Sequence, residues 1–222
     1  MRAVSECLHT LNCPSETIFR RIIVDSPSVL TDPGLLFVLL MRTVHLAPGE
    51  AVFLPAGCMH AYVRGTGIEV MACSDNVVRA GLTSKHIDIP EFLGIVDIAQ
   101  PPPTILRGTS SADHSERVYR TPADEFQLSV LRLSETPLER QCLGRETLLN
   151  VDDSLVSIET QLGVLSLEPG QACVLPNGCV YTAASLRTAH LYRVSTPSHR
   201  TVDATKHGAP SPVDGRNSGK NA

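Results

Sequence analysis

Between Thr43 and Ser74 the chain alternates short apolar runs with turn-forming residues. "TVHL", "AVFLP", "HAYVR" and "IEVMA" are separated by "PG", "PAG" and "GTG". That pattern predicts short strands. In "HAYVRGTGIEVMA" (60–72) a hairpin turning at Gly65–Thr66 sets Tyr62 opposite Glu69 and His60 opposite Met71. Alternation then gathers His60, Tyr62, Glu69 and Met71 on one face, and Ala61, Val63, Ile68 and Val70 on the other. The second set is wholly apolar and calls for a packed layer. The first suits either a solvent face or the lining of a cavity. Strand-like text returns at "EFQLSVLRLSE" (125–135) and continues through "LVSIET", "GVLSL", "ACVLP" and "AHLYRVS".

Helical signals are fewer. A short helix is expected over Glu16–Val24. "DPGLLFVLLM" offers Asp32 as an N-cap, then a proline and an apolar run, which reads as a short buried helix leading into a strand. "DIPEFLGIVDI" (88–98) starts a helix with Asp88 as cap and Pro90 in the first turn. "AQPPPT" then interrupts the chain, and 99–120 reads as a proline-led linker. Residues 197–222 are polar and rich in Pro and Gly, the composition of a disordered tail.

One phrase occurs twice. "LAPGEAVFLPAGCMHAY" (46–62) and "LEPGQACVLPNGCVYTA" (167–183) share Leu46, Pro48, Gly49, Ala51, Leu54, Pro55, Gly57 and Cys58 at a constant offset of 121, 8 of 17 positions. An internal duplication of a small β unit explains this. Its Pro-Gly pairs turn the chain, and each "LP" ends a strand because proline cannot serve a central ladder. His60 in the first copy is replaced by Tyr181 in the second. Cys58 and Cys179 stand in equivalent places, as expected of a repeated structural position.

Composition narrows the function classes. The 222 residues carry a net charge of −4, no Trp and only 4% aromatics. These values argue against nucleic acid and anionic membrane surfaces as partners. The apolar run at 34–41 is too short to span a bilayer, and the N-terminus lacks a signal-peptide core. Seven cysteines with no C-x-x-C pair suit reduced thiols in a cytoplasmic protein.

The first copy also spells G-x5-P-x-G-x2-H through Gly49, Pro55, Gly57 and His60. This resembles the second signature motif of cupins, small jelly-roll barrels in which the histidine is a metal ligand. A neutral imidazole on a rigid strand suits zinc or iron. The eight histidines are scattered, with no H-x-H cluster to supply further ligands.

A longer stretch is more specific. "LAPGEAVFLPAGCMHAYVRGTGIEVMACSDNVVRAGLTSKHIDIPEFLGIVD" (46–97), above all "GIEVMACSDNVVRAGLTSKHIDIPE", resembles type I phosphomannose isomerase, or mannose-6-phosphate isomerase. The preceding "DPGLLFVLLMRTVHLAPGEA" fits the same family, and 121–196 fits its C-terminal barrel more loosely. The resemblance implies a mostly β protein of two cupin-like jelly-roll units with a few short helices. The catalytic-type unit (31–98) would be incomplete at its N-terminus, after a helical stub (1–30). The second barrel (121–196) would have no metal site.

The family interconverts mannose 6-phosphate and fructose 6-phosphate at a zinc site. His60 corresponds to its final zinc ligand and Arg79 to its active-site arginine. Asp75, Tyr62, Glu69 and Lys85 fall in the same block and would line or border the pocket. Asp75 is the local candidate for the base, and Lys85 and Arg79 suit a substrate phosphate. The family's Gln-x-His pair and His-Lys-Pro-Glu stretch are absent. The zinc site is therefore incomplete in this chain, which looks like a C-terminal portion of the enzyme. A non-catalytic sugar-phosphate-binding protein or an inactive remnant is the alternative.

Overall fold

In a computed structural model of the protein, the described residues are 14–74 and 76–197. Asp75 and the expected tail beyond Pro197 lie outside them. Most of the regular structure is β and most of it is C-terminal.

The C-terminal body is two antiparallel sheets. The six-stranded sheet contains β3 (Thr109–Ser110), β4 (Glu116–Tyr119), β5 (Gln127–Leu133), β7 (Glu146–Asn150), β10 (Ala172–Leu175) and β12 (Ala189–Ser195). Its spatial order is β10-β7-β12-β5-β4-β3. The four-stranded sheet contains β6 (Leu138–Gln141), β8 (Val156–Thr160), β9 (Gly163–Leu167) and β11 (Val180–Ala184), in the order β6-β11-β8-β9. Strands adjacent in space are mostly distant in sequence, as in a jelly roll.

Alternation decides which residues meet between the sheets. In β7, Glu146, Leu148 and Asn150 are buried while Thr147 and Leu149 are only partly covered. Leu131, Leu133, Leu148, Val156, Ile158, Leu191 and Ala183 form the centre of the core, each at most 1% exposed. Two buried polar residues are fully engaged. Asn150 donates to the carbonyls of Ser154 (2.8 Å) and Leu167 (2.9 Å), tying the end of β7 to the β8 and β9 segments. Glu146 is bound by Arg193 through Nε (2.7 Å) and Nη2, and Arg193 Nη1 reaches Glu116 (2.8 Å). Arg140 completes the cluster, 3.7 Å from Glu116.

The segment expected to be a linker does more than connect. Its proline run is irregular, because proline lacks the N–H a ladder needs, but three short strands follow it. Ile105–Leu106 (β2) pairs with Ala51–Val52 (β1), and β3 and β4 belong to the large sheet.

The N-terminal part is helical, as its patterns suggest. Pro14–Asp25 forms α1, a short 3-10 turn covers Pro27–Thr31, and Leu35–Leu40 forms α2. Phe19 and Leu35 make a small separate core with Leu82 against it. The expectation of a buried helix holds within α2 only for Leu35, with Phe37, Val38 and Leu39 half-buried. Leu36 and Leu40 are exposed. Asp32 does not cap α2, whose N-cap is Gly34. Asp88 does cap α3 (Ile89–Ile95), accepting the Glu91 N–H at 3.0 Å.

The largest departure is in 43–74. Of the four expected strands only Ala51–Val52 is formed, while "TVHL", "HAYVR" and "IEVMA" remain irregular. A strand exists only where a neighbour pairs its N–H and C=O groups. Among the described residues none of these three runs is hydrogen-bonded into a sheet. The apolar set expected to face a packed layer is split accordingly: Ile68 and Val70 are half-buried, whereas Ala61 and Val63 are exposed.

Two outcomes follow for stability. Arg193→Ala leaves Glu146, 1% exposed, without its cation. It should cost about 3–5 kcal/mol in urea unfolding, and Arg193→Met with Glu146→Gln should recover part of that loss. The second concerns alkali. Burial first, and the nearby Glu146 charge second, push the Cys142 thiol up to about 12. Burial and Glu146 likewise raise the Tyr181 phenol. Groups raised in the folded state stabilise fully below their unfolded values and lose that contribution as pH rises toward the folded ones. Stability should thus fall from about pH 9 upward, by at most about 1.4 kcal/mol per pH unit for each group. Urea midpoints across pH 8–11 should show a shallower decline in Cys142→Ala.

Candidate functional site

The repeated phrase folds the same way twice. Glu50 N–H donates to the Ala47 carbonyl at 2.9 Å, and Gln171 N–H to the Glu168 carbonyl at 3.0 Å. Gly49 and Gly170 both sit at φ 82, where a side chain would strain the turn. In each copy the residue after this glycine closes the loop: Glu50 Oε2 accepts Ala47 N–H at 3.0 Å, and Gln171 Oε1 accepts Glu168 N–H at 2.9 Å. The "LP-x-GC" corner also recurs. Cys58 N–H reaches the Pro55 carbonyl and Cys179 N–H the Pro176 carbonyl, both at 3.2 Å. In the second copy that corner is a bulge against one partner. Gly178 N–H donates to Cys142 and Cys142 N–H to the Cys179 carbonyl. In the first, the Gly57 carbonyl accepts Asp97 N–H at 3.0 Å.

The first copy is seated on the C-terminal body. Tyr119, buried at the end of β4, donates its hydroxyl to the Gly49 carbonyl at 2.7 Å. Arg107 pairs with Glu50 at 3.1 Å, and Gln100 Nε2 reaches the Ala56 carbonyl at 3.2 Å.

Beyond the corner the copies diverge at the changed residue. Tyr181 is 1% exposed, with its hydroxyl 3.5 Å from Glu146 in the Arg193 cluster. His60 is exposed. Its Nδ1 lies 3.0 Å from the Cys58 carbonyl. A carbonyl only accepts, so Nδ1 carries a proton in this contact, and the neutral tautomer that makes it has its lone pair on Nε2, the arrangement of metal-bound histidines.

Tyr62 follows on the same side, its ring edge-on to His60 with centroids 6.1 Å apart. Its hydroxyl donates to Glu69 Oε1 at 2.7 Å. The cross-hairpin pairing expected from the alternation is therefore present in the side chains although no ladder forms. Partial desolvation, then the Glu69 bond and charge, push the Tyr62 phenol up to about 12, so it stays a donor at neutral pH.

Arg79 is half-buried, with Nη1 3.4 Å from the Val77 carbonyl. Lys85 is exposed, its backbone N–H bonded to Thr83 Oγ1 at 3.1 Å. The structure thus brings His60, Tyr62 and Glu69 together. It records no contact between them and Arg79 or Lys85, and Asp75 is outside the described residues.

Sequence reasoning missed how the 79–85 loop is held. Asp32 Oδ2 accepts Leu82 N–H at 2.7 Å while Oδ1 accepts Gly34 N–H at 2.7 Å. The "DPG" triplet signals a local turn, but nothing local points to a partner 50 residues on.

Among the described residues no group of three or more His, Cys, Asp or Glu side chains is placed to hold a metal ion. One imidazole does not fix a zinc ion, so the side chains present do not make a zinc site by themselves. Also among them, no helix is long and apolar enough to cross a membrane.

A jelly-roll body, with a Pro-Gly turn and an "LP-x-GC" corner that each occur twice and a histidine after one corner, defines a cupin-type protein. No family model matches the chain. It is 35% identical over 182 residues to mannose-6-phosphate isomerase of Salmonella typhimurium, covering 78% of this chain and 44% of that protein. The Escherichia coli enzyme is 39% identical over 146 residues and the human one 33% over 148. Mannose 6-phosphate isomerase from S. typhimurium, solved with fructose 6-phosphate and zinc, superposes with a TM-score of 0.73 at 32% identity. That match covers 86% of this chain and 48% of the other. Over 78% of its length the chain is homologous to mannose-6-phosphate isomerases, and it spans about half the length of these relatives.

Solved variants of the Salmonella enzyme replace by alanine a histidine, a glutamate nine residues later and an arginine ten residues after that. His60, Glu69 and Arg79 have the same spacing, and no other histidine of this chain starts it. Further variants replace two lysines and a second glutamate more than a hundred positions before that histidine. Only 59 residues precede His60 here.

Dialysed against trace zinc, the 222-residue protein should retain well under one equivalent by atomic absorption, and His60→Ala should leave that low value unchanged.

Proposed function

We propose that this chain carries the His60–Glu69–Arg79 portion of a site that interconverts mannose 6-phosphate and fructose 6-phosphate. The shared spacing with three residues replaced in the solved Salmonella variants carries the reading. It is supported by the free Nε2 lone pair of His60 and by the Tyr62–Glu69 bond beside it.

The reaction moves a proton between C1 and C2 of the sugar through an enediol, and negative charge develops on oxygen as it moves. The Arg79 guanidinium supplies the positive charge that this requires. Tyr62 donates to Glu69 and keeps the carboxylate aimed beside His60. Lys85, exposed at the end of the same loop, suits the substrate phosphate. Asp75 is the candidate base on sequence alone. Zinc belongs to the proposal as the ion to which His60 would contribute one ligand, the remaining ligands coming from outside these residues.

The lack of a metal-binding group among the described residues favours a second reading, a sugar-phosphate-binding protein without turnover.

A coupled assay on mannose 6-phosphate separates the two. The 222-residue protein alone should be inactive. Extended by the upstream half of a relative such as the E. coli enzyme, it should gain activity. Arg79→Ala and His60→Ala in that extended form should each lower kcat/KM by about 100-fold or more. Activity indifferent to Arg79 would overturn the assignment.

A further inference from the structure

Arg79 and Lys85 sit on a loop without helix or strand. A cavity of about 520 Å³ lies under it, lined by Asp32, Pro33, Ala80, Leu82, Thr83 and Ser84 among others. Something else must fix the loop, and the contacts converge on one carboxylate.

We propose that Asp32 is a positioning residue for the sugar-phosphate site, locking the Gly81–Leu82 turn and so placing Arg79 and Lys85. This rests on the site reading given above.

Three independent features carry it. First, both Asp32 oxygens are committed, Oδ1 to Gly34 N–H and Oδ2 to Leu82 N–H, each at 2.7 Å. Second, Leu82 is held at φ 54, in the left-handed region that a leucine avoids unless its surroundings impose it. The bond from its N–H to Asp32 and the seat of its side chain against the Phe19–Leu35 core do so. Third, the two backbones meet glycine to glycine. A Cβ on Gly81 would lie 2.7 Å from Asp32 Oδ1 and 2.9 Å from Gly34 Cα. A Cβ on Gly34 would lie 3.0 Å from Gly81 Cα. Only hydrogen fits at either place, so the carboxylate, the two glycines and the left-handed leucine form one unit.

That unit lies two residues from Arg79 and three from Lys85. The backbone at either residue can depart from its place only through the few bonds that separate it from the lock. A charge that acts on a phosphate or an oxyanion loses much of its effect when displaced by an ångström or two. Asp32 touches no substrate in this scheme; it acts through the loop.

The test compares wild type, Asp32→Asn and Gly81→Ala in the 222-residue protein. The asparagine can keep one acceptor but must turn an NH2 toward one of the two N–H groups. The alanine leaves Asp32 intact and drives a methyl into its oxygen. Amide hydrogen exchange over 79–87 is read against the strands β5, β7 and β12, and binding of fructose 6-phosphate is measured by calorimetry. In both variants the loop amides should exchange about tenfold faster and fructose 6-phosphate should bind about tenfold more weakly, with the strand amides unchanged. Unchanged loop exchange in both variants overturns the lock. A loosened loop with unchanged affinity overturns the positioning role and leaves Asp32 structural. No binding of fructose 6-phosphate by wild type, either as the 222-residue protein or extended by the upstream half of a relative, with loop exchange still faster in the variants, overturns the site reading and the positioning role but not the lock.

Discussion

Arg193 reaches into the C-terminal body and is gripped by Glu146 and Glu116, with Tyr181 beside Glu146 and Arg140 closing the cluster. A buried carboxylate such as Glu146 is tolerable only with a cation on it, and the body is built around meeting that need. β7 supplies Glu146, β12 supplies Arg193, β4 supplies Glu116 and β11 supplies Tyr181, so the cluster reaches from the large sheet to the small one. Tyr181 is also the residue that replaces the histidine in the second copy. Where the first copy offers an imidazole to solvent, the second buries a phenol against an internal ion pair. Its positive charge comes from an arginine of the chain itself.

The first copy has the same turn and corner but not the same surroundings. Its Pro-Gly loop closes through local bonds, and it is docked by Tyr119, Arg107 and Gln100. Those bonds need only neighbouring residues or the C-terminal body. The runs that follow need strands alongside them and find none among the described residues. They keep one side-chain bond, Tyr62 to Glu69, and leave Tyr62, Val63 and Met71 exposed. Sheet structure is a property of pairs, so the same phrase is ordered in one context and bare in the other.

Much of this was legible in the linear text. The strands from 125 onward show themselves by alternation, and Asp88 shows itself as a cap by its place before a proline and an apolar run. The duplication announces the repeated turn and corner, down to the glycines at positive φ. The facing of Tyr62 and Glu69 follows from counting outward from Gly65–Thr66. Other features were not legible. The linker hides β2, β3 and β4 because two- and four-residue strands carry too few positions to alternate. Asp32 reads as a cap because its local surroundings fit one, and its partner Leu82 is remote.

By itself the sequence determined the class: a mostly β protein with a repeated phrase, whose resemblance to its relatives runs through His60, Glu69 and Arg79. Periodicity, turn residues and fixed spacing are local properties, and they survive any loss of context. Only the tertiary structure decided which of the encoded strands became sheet, what fills the interior beside Tyr181, and how Asp32 holds the loop of Arg79 and Lys85. Each of those depends on a partner far along the chain, because backbone groups, buried charges and strained turns are satisfied only by what folding brings to them.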